Sequence, residues 1–125
     1  MTTTLVPFVH DAIRLQEACW VNGRPHFTRR AIGQWLGYRH PQKAVDNLIG
    51  RCPHLRDPRW SVALKLRGTD GKEYDHEVVD PIGLQLILFE SRQRKAIEYK
   101  IAVASLVWAY MSGQLKPYSG RRMWT

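Results

Sequence analysis

The spacing of apolar and polar positions changes period several times along this chain, and each change marks an element. From Ile13 to Val21 the pattern suits a strand; Asn22-Gly23 is the strongest two-residue hairpin signal, and Arg24 to Phe27 suits the returning strand. Two-residue closure sets Ala18 opposite Phe27 and Trp20 opposite Pro25, an aromatic face on which a helix can pack. From Phe27 to Arg51 the period becomes helical. Ala31, Ile32, Trp35 and Leu36 share one side of a helix that Thr28 caps and Gly37 stops; Ala44, Val45, Leu48 and Ile49 repeat the stripe behind Pro41, ahead of Gly50 and Pro53. Two such stripes across a Gly-Tyr-Arg-His-Pro break predict a helix-turn-helix.

Alternation returns at Trp60, Val62, Leu64 and Leu66 and is answered by Glu73 to Val79. A three-residue loop Thr69-Asp70-Gly71, with Gly71 left-handed, sets Val62 against Val78, Lys65 against Asp75 and Arg67 against Glu73. A two-residue turn at Asp70-Gly71 would instead face Leu64 and Leu66 with acids, so charge selects the longer loop. Asp80-Pro81 opens a helix by cap and first-position chemistry, running from Ile82 to about Ser91. A long helix follows from about Arg94 to Gly113, with Ile97, Ile101, Ala104, Trp108 and Met111 as one stripe and Tyr99, Val103, Leu106, Val107 and Tyr110 on other sides. A helix apolar nearly all round belongs in the core or in a contact with a second copy, which makes a homodimer through it the other expectation. Leu5 to Val9 suits a short strand weakened by Pro7, and Pro117 to Thr125 reads as a basic tail. The fold class expected is α+β: two β-hairpins packed with a helix-turn-helix-like helix pair and two C-terminal helices, in one domain over residues 1–116.

Length and composition agree with one domain: 125 residues, 44% hydrophobic. The net charge of +8 is placed unevenly, since Arg24 to Arg67 holds ten basic residues against Asp46 and Asp57 while the remainder balances. The excess therefore sits on and around the expected helix-turn-helix. Arg29 and Arg30 fall in the first turn of the first helix, where the macrodipole disfavours cations; a cost without local benefit implies a polyanionic partner. On the second helix Lys43, Asp46, Asn47 and Gly50 lie at i, i+3, i+4 and i+7, with Gln42 beside them and Arg39 and His40 at the entrance, all suited to base edges or phosphates. Arg51, Arg56 and Arg59 continue the basic surface. About five phosphate contacts would give a log–log salt slope near −4 to −5.

Other chemistry is thinly represented. The five histidines are scattered, Asp75-His76-Glu77 lies on a strand whose neighbours point to opposite faces, and no phosphate loop or nucleophile motif is present, so neither an enzyme nor a cofactor is expected. The acidic run Asp70 to Asp80 lacks cation-ligand spacing. Cys19 and Cys52 are expected as buried free thiols. The longest apolar run, Ile101 to Tyr110, is about half of a membrane span, and the start of the chain has no basic n-region, so a cytoplasmic protein is expected.

The segments FTRRAIGQWLGYRHPQKAVDNLI and VVDPIGLQLILFESRQRKAIEYKIAVASLVWAYMSG, in that order with a hairpin between them, resemble the Bro-N domain, the N-terminal domain of the baculovirus-repeated-ORF family and of many bacteriophage antirepressors. The resemblance runs from about Phe8 to Gly113 and rests on Phe27, Leu36-Gly37-Tyr38, Pro41 with Ala44-Val45, and the block from Gly83-Leu84 to Ser91-Arg92. The chain departs from the family's pattern at Ala31, at Trp35 and at Trp108-Ala109-Tyr110. The resemblance implies DNA binding, in a phage- or prophage-type regulator of transcription or an antirepressor. The residues expected at the DNA are Arg29, Arg30, Arg39, His40, Gln42, Lys43, Asn47, Arg51, Arg56 and Arg59. The alternative expectation is a protein-binding module that sequesters a phage or host repressor without touching DNA.

Overall fold

The computed structural model describes residues 3–10, 13–67 and 70–114, which form six strands and four α-helices. The expected basic tail, and Thr69 of the expected loop, lie outside the described residues. In chain order the elements are β1 (Thr3–Thr4), β2 (Val6–His10), β3 (Ile13–Val21), β4 (Arg24–Thr28), α1 (Arg29–Leu36), α2 (Pro41–Arg51), a 3-10 turn (Pro53–Arg56), β5 (Ser61–Arg67), β6 (Glu73–Val79), α3 (Pro81–Glu90) and α4 (Arg94–Met111). Both hairpins enter one sheet of order β1-β5-β6-β4-β3-β2, antiparallel except for the two-residue β1 beside β5. The seam between them is β4 against β6, with Phe27 opposite Val79 and Thr28 opposite Val78.

Hairpin registers follow the turn chemistry. Asn22 and Gly23 both take positive φ (52° and 78°), as a two-residue turn of matching twist requires, and Ala18 meets Phe27 while Trp20 meets Pro25. In the second hairpin Val62 meets Val78, Lys65 meets Asp75 and Arg67 meets Glu73, with salt bridges of 3.5 Å for Lys65–Asp75 and 3.3 Å for Arg67–Glu73. One expectation about the first hairpin fails. Trp20 is 56% exposed, because it sits at the hairpin's tip beyond the helices, and the aromatic contact in the core is Phe8 edge-on to Phe27 at 5.1 Å. A bulge lies where β3 pairs with β2: Phe8 meets Leu15 but Val6 meets Ala18, and this shift puts both Leu15 and Ala18 on the helix side.

The main core lies between that side of the sheet and the helices, with Phe27, Ile32, Val45, Ile49, Val79 and Ile87 among its members. Val78 points the opposite way from Val79 and joins a smaller cluster with Leu5, Cys19 and Leu66. The helix caps come from residues of the right chemistry. The Thr28 hydroxyl accepts from the Ala31 amide at 3.1 Å, the Asp80 carboxylate accepts from the amides of Ile82 and Gly83, and Gly37 closes α1 at φ 88°. At Gly33 a Cβ would stand 2.4 Å from the Pro41 carbonyl oxygen, so α1 and α2 touch through backbone there.

The last helix is not in the core. Only Ala96 of α4 is buried, whereas Ile101, Trp108 and Met111 are 63%, 63% and 71% exposed. Leu84, Ile87 and Leu88 of α3 already close the space beneath the sheet, so α4 rests on the body through its first two turns alone. Those contacts are Lys95 over the Trp35 ring, Tyr99 Oη donating to Gln85 Oε1 at 2.7 Å, and Tyr99 beside Phe89. Among the described residues no helix is long and apolar enough to cross a membrane.

Candidate nucleic-acid interface

Burying Val45, Leu48 and Ile49 against α1 and the sheet turns the rest of α2 outward: Gln42, Lys43, Asn47, Gly50 and Arg51 are exposed, with Arg39 and His40 exposed at its entrance. The helix starts at Pro41 without a side-chain cap and has no acid in its first turn, so nothing in that turn offsets the positive end of its dipole. Among the described residues Arg39, Lys43 and Arg51 form no ion pair. Gln42 is less free, since its amide donates to Asp46 Oδ1 at 3.1 Å.

Arg29 and Arg30 do not fit the expectation that they lack local benefit. Arg29 has a side chain only 14% exposed, which donates to Asp46 at 2.9 Å and to Glu77, and its Nε is buried without a partner. Arg30 grips both oxygens of Glu17, a carboxylate on β3 that also accepts from the Thr28 hydroxyl at 2.7 Å. Burial alone would raise the Glu17 pKa, but the Arg30 guanidinium and the Thr28 hydroxyl outweigh it and hold the carboxyl below its usual value. The Glu17 carboxylate in turn raises the Arg30 pKa. The first-turn penalty at Arg29 and Arg30 is thus offset inside the protein, by acids from β3, α2 and β6.

Arg56 and Arg59 stand between these extremes. Arg56 pairs with Glu77 at 3.1 Å and Arg59 holds both oxygens of Asp57 while lying 4.7 Å from the Trp60 ring centre, yet both arginine side chains remain more than half exposed. Hydrogen bonds from Arg59 to the Asp57 side chain, then its backbone amide, hold the Asp57 carboxyl below its ordinary value. Beside α2 lies a polar cleft of about 480 Å³ toward β6, lined by Arg29, Gln42, Asp46, Asp75, His76 and Glu77 among others. Its acids bound the cationic surface on that side, leaving Arg39, Lys43 and Arg51 as the strip where positive charge is uncompensated. Among the described residues no three His, Cys, Asp or Glu are placed to hold a metal ion. Cys19 is buried as expected; Cys52 is only half-buried, its thiol 3.4 Å from Glu90 Oε1.

Sequence reasoning passed over two groups. Glu17 was hidden as an acid on a mostly apolar strand, and only the sheet register and the start of α1 bring it to Arg30. The second is the α3–α4 junction. Tyr38 Oη lies 2.7 Å from Ser91 Oγ and Gln93 Nε2 donates to the Leu36 carbonyl at 3.2 Å, which pins the turn before α2 onto this junction and brings Arg92, Arg94 and Lys95 to the same end of the molecule as Arg39. The basic run was visible in the sequence, but its neighbour was not. Comparisons with protein-family models, with curated proteins and with solved structures give no match to this chain.

Proposed function

We propose that this chain is a DNA-binding regulator of transcription of the Bro-N type, which meets duplex DNA with the exposed side of α2. The observation that carries the reading is the row of uncompensated cations on α2 and at its entrance, Arg39, Lys43 and Arg51, beside Asn47 and an uncapped helix start. In helix-turn-helix proteins the N-terminal residues of the second helix meet base edges while flanking cations hold phosphates. By that logic Arg39, Gln42, Lys43 and Asn47 approach the bases, His40 lies at the groove's edge, and Arg51 holds a phosphate. Arg56 and Arg59 join as phosphate contacts, because exchanging an exposed ion pair worth about 0–1 kcal/mol for a phosphate costs little. Arg29 and Arg30 take no part in contact; they fix α1 to α2 and to the sheet.

The experiment is selection of bound duplexes from a random pool at two salt concentrations. Enrichment of a shared sequence at both, reduced by Arg39→Ala and by Lys43→Ala in folded protein, supports the reading. Absence of any DNA affinity at low salt would overturn it.

A further inference from the structure

From Ile101 to Met111, α4 carries no charge for three turns, and it projects past the surface it rests on. Ile101, Leu106, Val107, Trp108, Tyr110 and Met111 are each between 48% and 71% exposed. Taken at on the order of 100–150 Å² apiece, they leave roughly 800 Å² of apolar surface around the helix, above the 300–600 Å² patch usual for a monomer; Ile101, Leu106, Trp108 and Tyr110, which lie toward one side, supply on the order of 500 Å² of the about 800 Å² that each partner gives to a standard interface.

The arrangement of these side chains selects the kind of cover. Ala102, Ser105 and Ala109 fall within about 60° of one another around the helix, at i, i+3 and i+7. Ile101 and Trp108 flank this seam on one side, Leu106 and Tyr110 on the other. A seam of small residues between two large rims admits another helix backbone closely, and the rims then enclose it. The same seam runs back toward Glu98, where a largely apolar cleft of about 270 Å³ opens beside α1, lined by Ile13, Trp35, Lys95, Glu98 and Tyr99. Charge fits an antiparallel arrangement as well. In the first half of α4 the cations Arg94, Lys95 and Lys100 outnumber the single acid Glu98, which Arg94 meets at 3.9 Å, so the negative C-terminal end of an antiparallel partner helix would come to rest in a net positive region.

We infer that the chain forms a two-fold dimer in which the α4 helices of two copies cross antiparallel at Ser105, each placing its distal end over the other's apolar cleft. Such an interface is isologous and closed, so growth stops at two. The inference does not rest on DNA binding.

Sedimentation of the full chain without DNA tests it. The expected result at about 50 μM is a single species of twice the 14.5 kDa chain mass. Ser105→Arg, a change at an exposed position that suits a helix better than serine does, should halve that mass with an unchanged far-ultraviolet spectrum. In a Cys52→Ser background, Ser105→Cys should become a disulfide-linked dimer under mild oxidation, whereas Val107→Cys, on the opposite side of the helix from the crossing, should not. A monomeric wild-type chain, as would follow if residues 115–125 or a foreign protein covered the helix, overturns the inference. So does a dimer that survives Ser105→Arg.

Discussion

Arg51 and Arg29 make a paired test, because both lie near the exposed side of α2 yet the proposed DNA contact gives them opposite roles. Arg51 is exposed and without an ion pair among the described residues, while Arg29 is mostly buried between Asp46 and Glu77. If Arg51, Arg56 and Arg59 neutralise phosphate, three contacts per bound copy at about 0.9 each give a log–log salt slope of about −2.7 per copy. Between 50 and 200 mM salt, affinity per copy should then fall about 40-fold for the native chain, and about 12-fold for Arg51→Ala, whose slope is about −1.8. Arg51→Ala should move stability by no more than about 0.5 kcal/mol, as expected at an open surface site. Arg29→Ala should do the reverse. Its slope should stay at the native value while stability falls by about 1–3 kcal/mol, since two partly exposed carboxylates lose a shared cation. Fluorescence anisotropy on a selected duplex at four salt concentrations, alongside urea unfolding, measures both quantities. A native slope for Arg51→Ala, or a shallow slope with intact stability for Arg29→Ala, would refute the division of labour drawn between them.

Gly33→Ala should destabilise by about 1–3 kcal/mol despite alanine's better helix propensity, because the new Cβ would meet Pro41 backbone that cannot rotate away; an equal or higher urea midpoint would mean α1 and α2 are not in contact there. Glu17 has a folded pKa below its ordinary 4.5, so its contribution is present above pH 4.5 and is lost as pH falls through the lowered folded value. Native protein and Glu17→Gln should therefore differ in urea midpoint at pH 7 and converge toward pH 3, and a constant gap across that range would show that the carboxylate's charge is irrelevant. Thr28→Val removes both the α1 cap and a donor to Glu17, and should cost about 1–2 kcal/mol; Thr28→Ser, which keeps the hydroxyl, should recover most of that loss in the same assay.

How legible each part was depends on whether its signal is local. The Asn22-Gly23 turn, the Thr28 and Asp80 caps and the pairing of Lys65 with Asp75 depend on residues near one another in sequence, where charge and backbone preference leave few alternatives, and all are present as read. The joining of two hairpins into one sheet through Phe27 and Val79 spans 52 positions of chain and left no mark in either strand's alternation. Arginine roles were illegible for the same reason. Arg29, Arg30 and Arg51 look alike in a list of cations, and only the acids that β3, α2 and β6 bring to the first two separate bracing residues from exposed ones. The misplacement of α4 has another cause: apolar residues on every side of a helix report that it must be covered, without saying by what.

That last ambiguity bears on the proposed DNA site itself. A single α2 on an isolated chain can read one groove segment, whereas a two-fold pair through α4 carries two copies of α2 related by the same axis, and the DNA selected by it must share that axis. Half-sites should then recur in inverted orientation at centres about 34 Å apart, or a multiple of that distance, set by the rigid path from α2 through the pinned α3–α4 junction to Ser105. Selection with the native chain should return an inverted repeat, and selection with Ser105→Arg should return one half of it, bound with a shallower salt slope because half the phosphate contacts are gone. If the native chain selects an asymmetric site while sedimenting as a dimer, the α2 surfaces cannot both face one duplex. The crossing at Ser105 would then stand as a contact between chains, and the assignment of α2 as the reading helix would fall.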